Sequence, residues 1–145
     1  MNVIQKVKSL DLNVSVPRSS KETMAGVAHL PRMIDKARAY KDKTLGEYIY
    51  PYLLDWHILK LFEANPKDFA HLAEVNDDDQ MTEWTRNASR FRSREERGLV
   101  NDKILNRKVS FEDMPSFLRA RNLIDPSRTD VTTWDGLIDL DEGHI

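Results

Sequence analysis

The chain of 145 residues has no cysteine. That excludes a disulfide scaffold, a thiol nucleophile and a cysteine-ligated zinc or iron–sulfur centre. Glycine is scarce, at five residues, where an average share of about 7% would supply ten or so. Val, Ile and Thr together number 24 while leucine alone numbers 15, so the β-branched enrichment of an all-β fold is missing. No run approaches the roughly 18 apolar residues of a membrane span. The start, MNVIQKVKSLDLNVSV, is interrupted by Lys6, Lys8 and Asp11 before it reaches the apolar length of a signal peptide. A cytoplasmic protein is the expectation. Charge of one sign is also lacking: 22 basic against 24 acidic residues leave a net charge of −2, with no global pull toward nucleic acid or a membrane.

What remains reads as helix. The length suits one domain spanning residues 1–145, with an irregular, extended N-terminal arm over 1–18 and an acidic C-terminal segment over 126–145. The expected fold is all-α, a compact bundle of six to eight short helices. Leu10, Leu12, Val14 and Val16 alternate as in an extended segment lying on the core. Ser19 or Ser20, with Glu22, reads as a helix cap. At 100° per residue, the apolar stripe before Pro31 (Met24, Val27, Ala28) and the one after it (Leu30, Met33, Ile34, Ala37, Tyr40) point in different directions. One straight helix cannot serve both, so the spacing predicts a break at Pro31 between helices at about 20–29 and 31–42. Further helices are expected at about 53–64, from Pro66 behind an Asn65 cap, from the acidic start Asp77–Asp79, and behind the capping box Ser93–Glu96. Two more follow, around Phe111–Leu123 and in the final segment. Met81, Trp84, Ala88 and Phe91 form a stripe expected to be buried, as are Leu54, Ile58 and Phe69. A two-stranded ribbon between 10–16 and 47–52 is the alternative.

The densest polar cluster is HLPRMIDKAR, residues 29–38. Spacing alone makes it a solvated helix face with i,i+3 ion pairs. An anion site is the sharper reading, because Arg32 offers a bidentate fork for carboxylate or phosphate and Lys36 a point charge. The stretches Pro17-Arg18-Ser19, His29 through Ala39, Leu45-Gly46-Glu47-Tyr48 and Leu54-Asp55 resemble a family of small bacterial proteins catalogued only as a domain of unknown function. The end, from Arg128 to Gly143, is similar to that family's C-terminus. The resemblance implies positions and no role: Arg18, His29, Arg32, Asp35, Lys36, Glu47, Tyr48 and Asp55. These groups serve either a structural polar network, with Glu47 pairing Arg32 at the Gly46 turn, or a ligand pocket. In the pocket reading Arg18, Arg32, Lys36, Glu47 and Tyr48 converge with His29 at the edge. Two Arg and one Lys against Glu47 and Asp35 leave a slight positive excess, which suits a small anionic ligand.

Other chemistry is thinly represented. His29, His57, His71 and His144 lack the i,i+4 pairing of a zinc hydrolase, and no metal site is assigned. Asp135, Asp139 and Glu142 read as a solvated acidic tail. No phosphate-cradling glycine loop, nucleophile elbow or Ser-His-Asp arrangement is evident, and Ser19 and Ser20 read as caps. Residues 86–108 carry eight basic side chains against three acids. They either contact phosphate backbone or dock on the acidic C-terminus. Tyr48, Tyr50, Tyr52 and Trp56 around Pro51 suit a pocket wall or an interface. A homodimer or other interaction module is thus the main alternative to ligand binding, nucleic acid the lesser one, and a membrane is not expected.

Overall fold

The computed structural model describes residues 5–145, and positions 1–4 of the N-terminal arm lie outside the described residues. Seven α-helices are present among them: α1 (Leu30–Asp42), α2 (Leu53–Leu61), α3 (Pro66–Val75), α4 (Asp78–Ala88), α5 (Arg94–Leu105), α6 (Met114–Ile124) and α7 (Trp134–Glu142). Local chemistry explains their starts. The Asn65 carboxamide accepts from the Lys67 and Asp68 amides behind Pro66. Asp77 with Gln80, and Ser93 with Glu96, close reciprocal capping boxes. Pro115 sits in the first turn of α6, where its missing N–H leaves no hydrogen bond unmade. No helix is long and apolar enough to cross a membrane among the described residues.

The chain does break at Pro31, but what precedes it is not a helix. Residues 20–29 form a short antiparallel hairpin, β1 (Thr23–Met24) and β2 (Val27–Ala28), with Thr23 opposite Ala28 and Met24 opposite Val27. Ala25 and Gly26 lie at φ 49° and 81°, the paired left-handed residues that a two-residue hairpin turn requires. The two apolar stripes therefore differ in phase because one belongs to a strand pair. Ser19 and Ser20 cap nothing: the Ser19 hydroxyl donates to Asp139 and that of Ser20 meets His29. The alternative ribbon of 10–16 with 47–52 is absent too. Asp11 accepts from the Asn13 amide and folds this stretch into a turn, so only Leu12 of the four alternating residues is buried.

α1 is the central element, packed chiefly on α3 and also against β1 and α2, while α5 covers α2 and β2. Leu30, Met33, Ile34 and Ala37 of α1 join Met24, Val27, Ile58, Phe69, Met81 and Ile104 in the main core. Trp84 packs edge-on against Phe62 and Phe69 at ring separations of 5.5 and 5.7 Å. Phe91 breaks the expected stripe and is 85% exposed, because α4 ends at Ala88 and a 3-10 turn over Ser89–Phe91 swings it outward. A smaller core joins α6 and α7 through Phe117, Val131, Leu137 and Leu140, with Trp134 edge-on to Phe117. Through it α7 folds back, and the acidic segment is no solvated tail: Asp135 and Asp139 are buried.

The turn at Gly46 carries a steric constraint. Leu12 N donates to Thr44 O, which brings the arm across Gly46 at φ 61°. A Cβ there would stand 2.7 Å from the Leu12 carbonyl oxygen. Gly46→Ala is expected to cost about 1–3 kcal/mol from strain and clash together, read as a melting temperature several degrees lower, whereas Gly98→Ala, which meets no atom within 4 Å, should not destabilise.

Candidate functional site

A cavity of about 530 Å³ opens where α1, the 47–54 segment and α7 meet; Ser20, His29, Arg32, Lys36, Tyr48 and Glu142 are among its polar lining, with Glu47, Arg107 and Asp141 completing it. Three of these come from one helix face. His29, Arg32 and Lys36 recur at i, i+3 and i+7, the spacing that stacks side chains on α1. His29 begins the helix in the left-handed region, at φ 72° and ψ −19°. This conformation costs a non-glycine residue about 1–2 kcal/mol, and here it turns the chain from β2 into α1.

Beneath the cavity floor lies Asp55, fully buried in the first turn of α2. Its Oδ1 accepts from His29 Nε2 at 2.8 Å. Its Oδ2 accepts from Lys36 Nζ at 2.6 Å and from the Tyr52 amide at 2.8 Å. Burial opposes the carboxylate charge, but the His29 hydrogen bond and the Lys36 charge outweigh it and hold the pKa below the usual Asp range. Burial also lowers the pKa of His29, against the pull of Asp55, and lowers that of Lys36. A neutral imidazole facing an anion must carry its proton on Nε2. Its Nδ1 is then the acceptor, and the Ser20 hydroxyl donates to it at 2.8 Å. A continuous chain results, Ser20–His29–Asp55–Lys36, with Lys36 also donating to the Ile49 carbonyl at 3.1 Å.

The second cluster is built around Arg32. Its two terminal nitrogens grip the Glu142 carboxylate at 2.7 and 2.9 Å, and Tyr48 Oη donates to the same carboxylate at 2.9 Å. The guanidinium lies over the Tyr48 ring, 5.7 Å from its centre. Burial opposes the Glu142 charge, yet Arg32 more than compensates and its pKa is lowered. Burial and this carboxylate push the Tyr48 phenol up to about 12. Arg32 thus pairs with Glu142 and not with Glu47, which is exposed at the cavity rim.

Of the residues expected to converge, His29, Arg32, Lys36, Glu47 and Tyr48 line one cavity and Asp55 supports it. Arg18 and Asp35 do not reach it. Arg18 embraces the Asp35 carboxylate through Nε and a terminal nitrogen at 3.0 and 2.9 Å and reaches Asp78 at 2.7 Å. Arg38 completes this clamp by donating to Asp78, Ala73 O and Asn76 O. The positive excess is also cancelled, since Arg32 and Lys36 each meet an internal carboxylate. Sequence reasoning missed Ser20, read as a cap, and Glu142, read as solvated tail. The Ser-His-Asp arrangement it did not see is assembled from the hairpin, the start of α1 and α2. The basic 86–108 segment does touch the C-terminal one, with Arg107 reaching the buried Asp135 at 3.1 Å.

A family described as Domain of unknown function (DUF5069) matches residues 14–144. No curated protein matches the chain.

Two outcomes follow from this geometry. Asp55→Ala removes the acceptor shared by a buried histidine, a buried lysine and a backbone amide, and is expected to cost about 3–5 kcal/mol, read by chemical denaturation. With the His29 pKa held below its ordinary 6.5, the unfolded chain binds the proton first as pH falls. Stability should therefore decline below about pH 6.5, and His29→Gln should flatten that part of the melting-temperature profile.

Proposed function

We propose that this chain, which belongs to the DUF5069 family and so to one without an assigned activity, binds a small carboxylate or phosphate in the cavity between α1 and α7. The observation that carries this reading is the grip of Arg32 and Tyr48 on the Glu142 carboxylate at the cavity wall. A planar guanidinium fork beside a phenol hydroxyl is chemistry suited to carboxylate and phosphate. Glu142 acts as an internal occupant of that fork, and an incoming anion competes with it. Lys36 assists. It donates two of its three N–H groups to Asp55 and Ile49, which leaves one for the cavity. The apolar side, Ile49, Leu53, Leu54, Trp134 and Ile138, accommodates the body of a small organic acid.

A second reading, an interaction module or homodimer, is favoured by one feature. Ile49, Tyr52, Leu53 and Trp56 are all exposed at the start of α2, an apolar rim suited to a protein surface. A strict monomer in light scattering at high concentration removes the homodimer. Nucleic acid is the lesser alternative, since Arg107 is already paired with Asp135. A flat titration at low salt removes it.

Thermal-shift measurements with inorganic phosphate and a panel of small mono- and dicarboxylates test the anion reading. Saturation a hundredfold above Kd stabilises by about 2.7 kcal/mol, a rise of several degrees. Arg32→Lys keeps the charge but loses the fork and should abolish the rise. Glu142→Gln lowers the starting melting temperature but removes the competing carboxylate, so its rise should exceed that of the wild type. If no anion shifts either the wild type or Glu142→Gln, the fork is an interior salt bridge and the reading is wrong.

A further inference from the structure

Ser20 and His29 sit in the wall of the same cavity, yet neither is used by the Arg32 fork. We propose that Ser20, His29 and Asp55 form a nucleophilic triad that hydrolyses small carboxylic esters in this cavity. The inference uses different atoms from the anion reading and does not depend on it.

The geometry supplies each role. The Ser20 hydroxyl hydrogen-bonds His29 Nδ1 at 2.8 Å, inside the reach that a nucleophile and its general base need. His29 Nε2 is held at 2.8 Å by Asp55, which fixes the tautomer that leaves Nδ1 free to take a proton. The imidazole is turned end for end relative to the usual serine-hydrolase arrangement, and this leaves the chemistry unaltered because either ring nitrogen serves as base. Asp55 is a positioning residue, fixed in turn by Lys36 and the Tyr52 amide. His29 is buried and its pKa is lowered, so it is the neutral base at pH 7. Its left-handed backbone is the kind of strain that a fold retains at working sites.

The step balances without a cofactor. Ser20 Oγ forms a bond to the acyl carbon while its proton passes to His29 Nδ1. The tetrahedral oxyanion develops in the cavity that Ser20 and His29 line. The acyl C–O bond then breaks, and the leaving alkoxide takes the proton from His29. Water attacks the acyl-serine, gives its proton to His29 Nδ1, and that proton returns to Ser20 as the acid departs. The net reaction is ester plus water to acid plus alcohol.

Two neutral probes test this on the intact protein: p-nitrophenyl acetate for turnover and a small alkyl fluorophosphonate for covalent capture. The expected result is one phosphonyl adduct per chain, mapped by peptide mass spectrometry to Ser20 in the wild type, a readout that needs no variant to fold. The labelling rate should rise with pH to a plateau reached by about pH 7, as His29 deprotonates. Ser20→Ala should lose both labelling and turnover, and His29→Gln should slow both by about 10²–10⁴-fold. Adduct on another residue, or none on the wild type, overturns the proposal and leaves Ser20–His29–Asp55 as a structural chain. The anion reading is separable: Ser20→Ala should keep the thermal shift with small acids, and a wild type that labels at Ser20 without any such shift sinks only that reading.

Discussion

A single buried carboxylate constrains the rest of the molecule. Asp55 has no solvent exposure, and a charge so placed is tolerable only if its lone pairs are filled and its charge is met. His29 and Lys36, seven residues apart on α1, each supply a donor, and the Tyr52 amide supplies the third. Two donors from one helix to one carboxyl group fix both the rotation of α1 about its axis and its height relative to α2. Once that register is set, Arg32 has little choice of direction. It lies between His29 and Lys36 on the same face and emerges where Glu142 arrives on α7.

The opposite polar side of α1 follows the same logic. Residues 30–39 are all buried although four of them, Arg32, Asp35, Lys36 and Arg38, carry charge. Each meets an opposite charge from elsewhere in the chain: Glu142, Arg18, Asp55 and Asp78. A helix this polar would ordinarily lie at a surface. Here its charges act as addresses, each accepting one partner segment, and misplacing any segment strands a charge in the interior. The structural network and the pocket, posed as alternatives by the sequence, thus divide α1 between them. Asp35 and Arg38 belong to the clamp; His29, Arg32 and Lys36 face the cavity.

The sequence makes legible whatever is local. Caps at Asn65, Asp77 and Ser93 mark the starts of α3 to α5 because their chemistry is complete within four residues. The phase change across Pro31 exposes a break for the same reason. The hairpin before it escapes detection because its decisive signal, left-handed Ala25 and Gly26, is carried by only one glycine, and strands of two residues are too short to show a period. Tertiary pairing is less legible still. Glu142 lies 110 residues from Arg32, and nothing in an acidic C-terminal helix says which carboxylate turns inward. Ser20 is hidden differently. A serine after proline and ahead of an apolar run reads as a cap, and only the nine-residue return of the hairpin brings it back to His29.

That return also explains why the site sits where it does. The main core holds β2, α1 and α2 rigidly, and with them Ser20's neighbour strand, His29, Lys36 and Asp55. The far wall of the cavity, with Trp134, Ile138 and Glu142, belongs to α7, which rests on the smaller core of Phe117, Val131, Leu137 and Leu140. A gap between two separately packed clusters is where side chains from neither side can fill the space, so a cavity there follows from the packing itself. The polar groups facing it are preorganised by the larger core, and the Arg32–Glu142 pair ties the smaller one across. Glu142 occupies the last turn of α7, just before the left-handed Gly143 that ends the helix. The tie is therefore made at the end of α7, beyond the Leu137 and Leu140 that seat this helix on the smaller core.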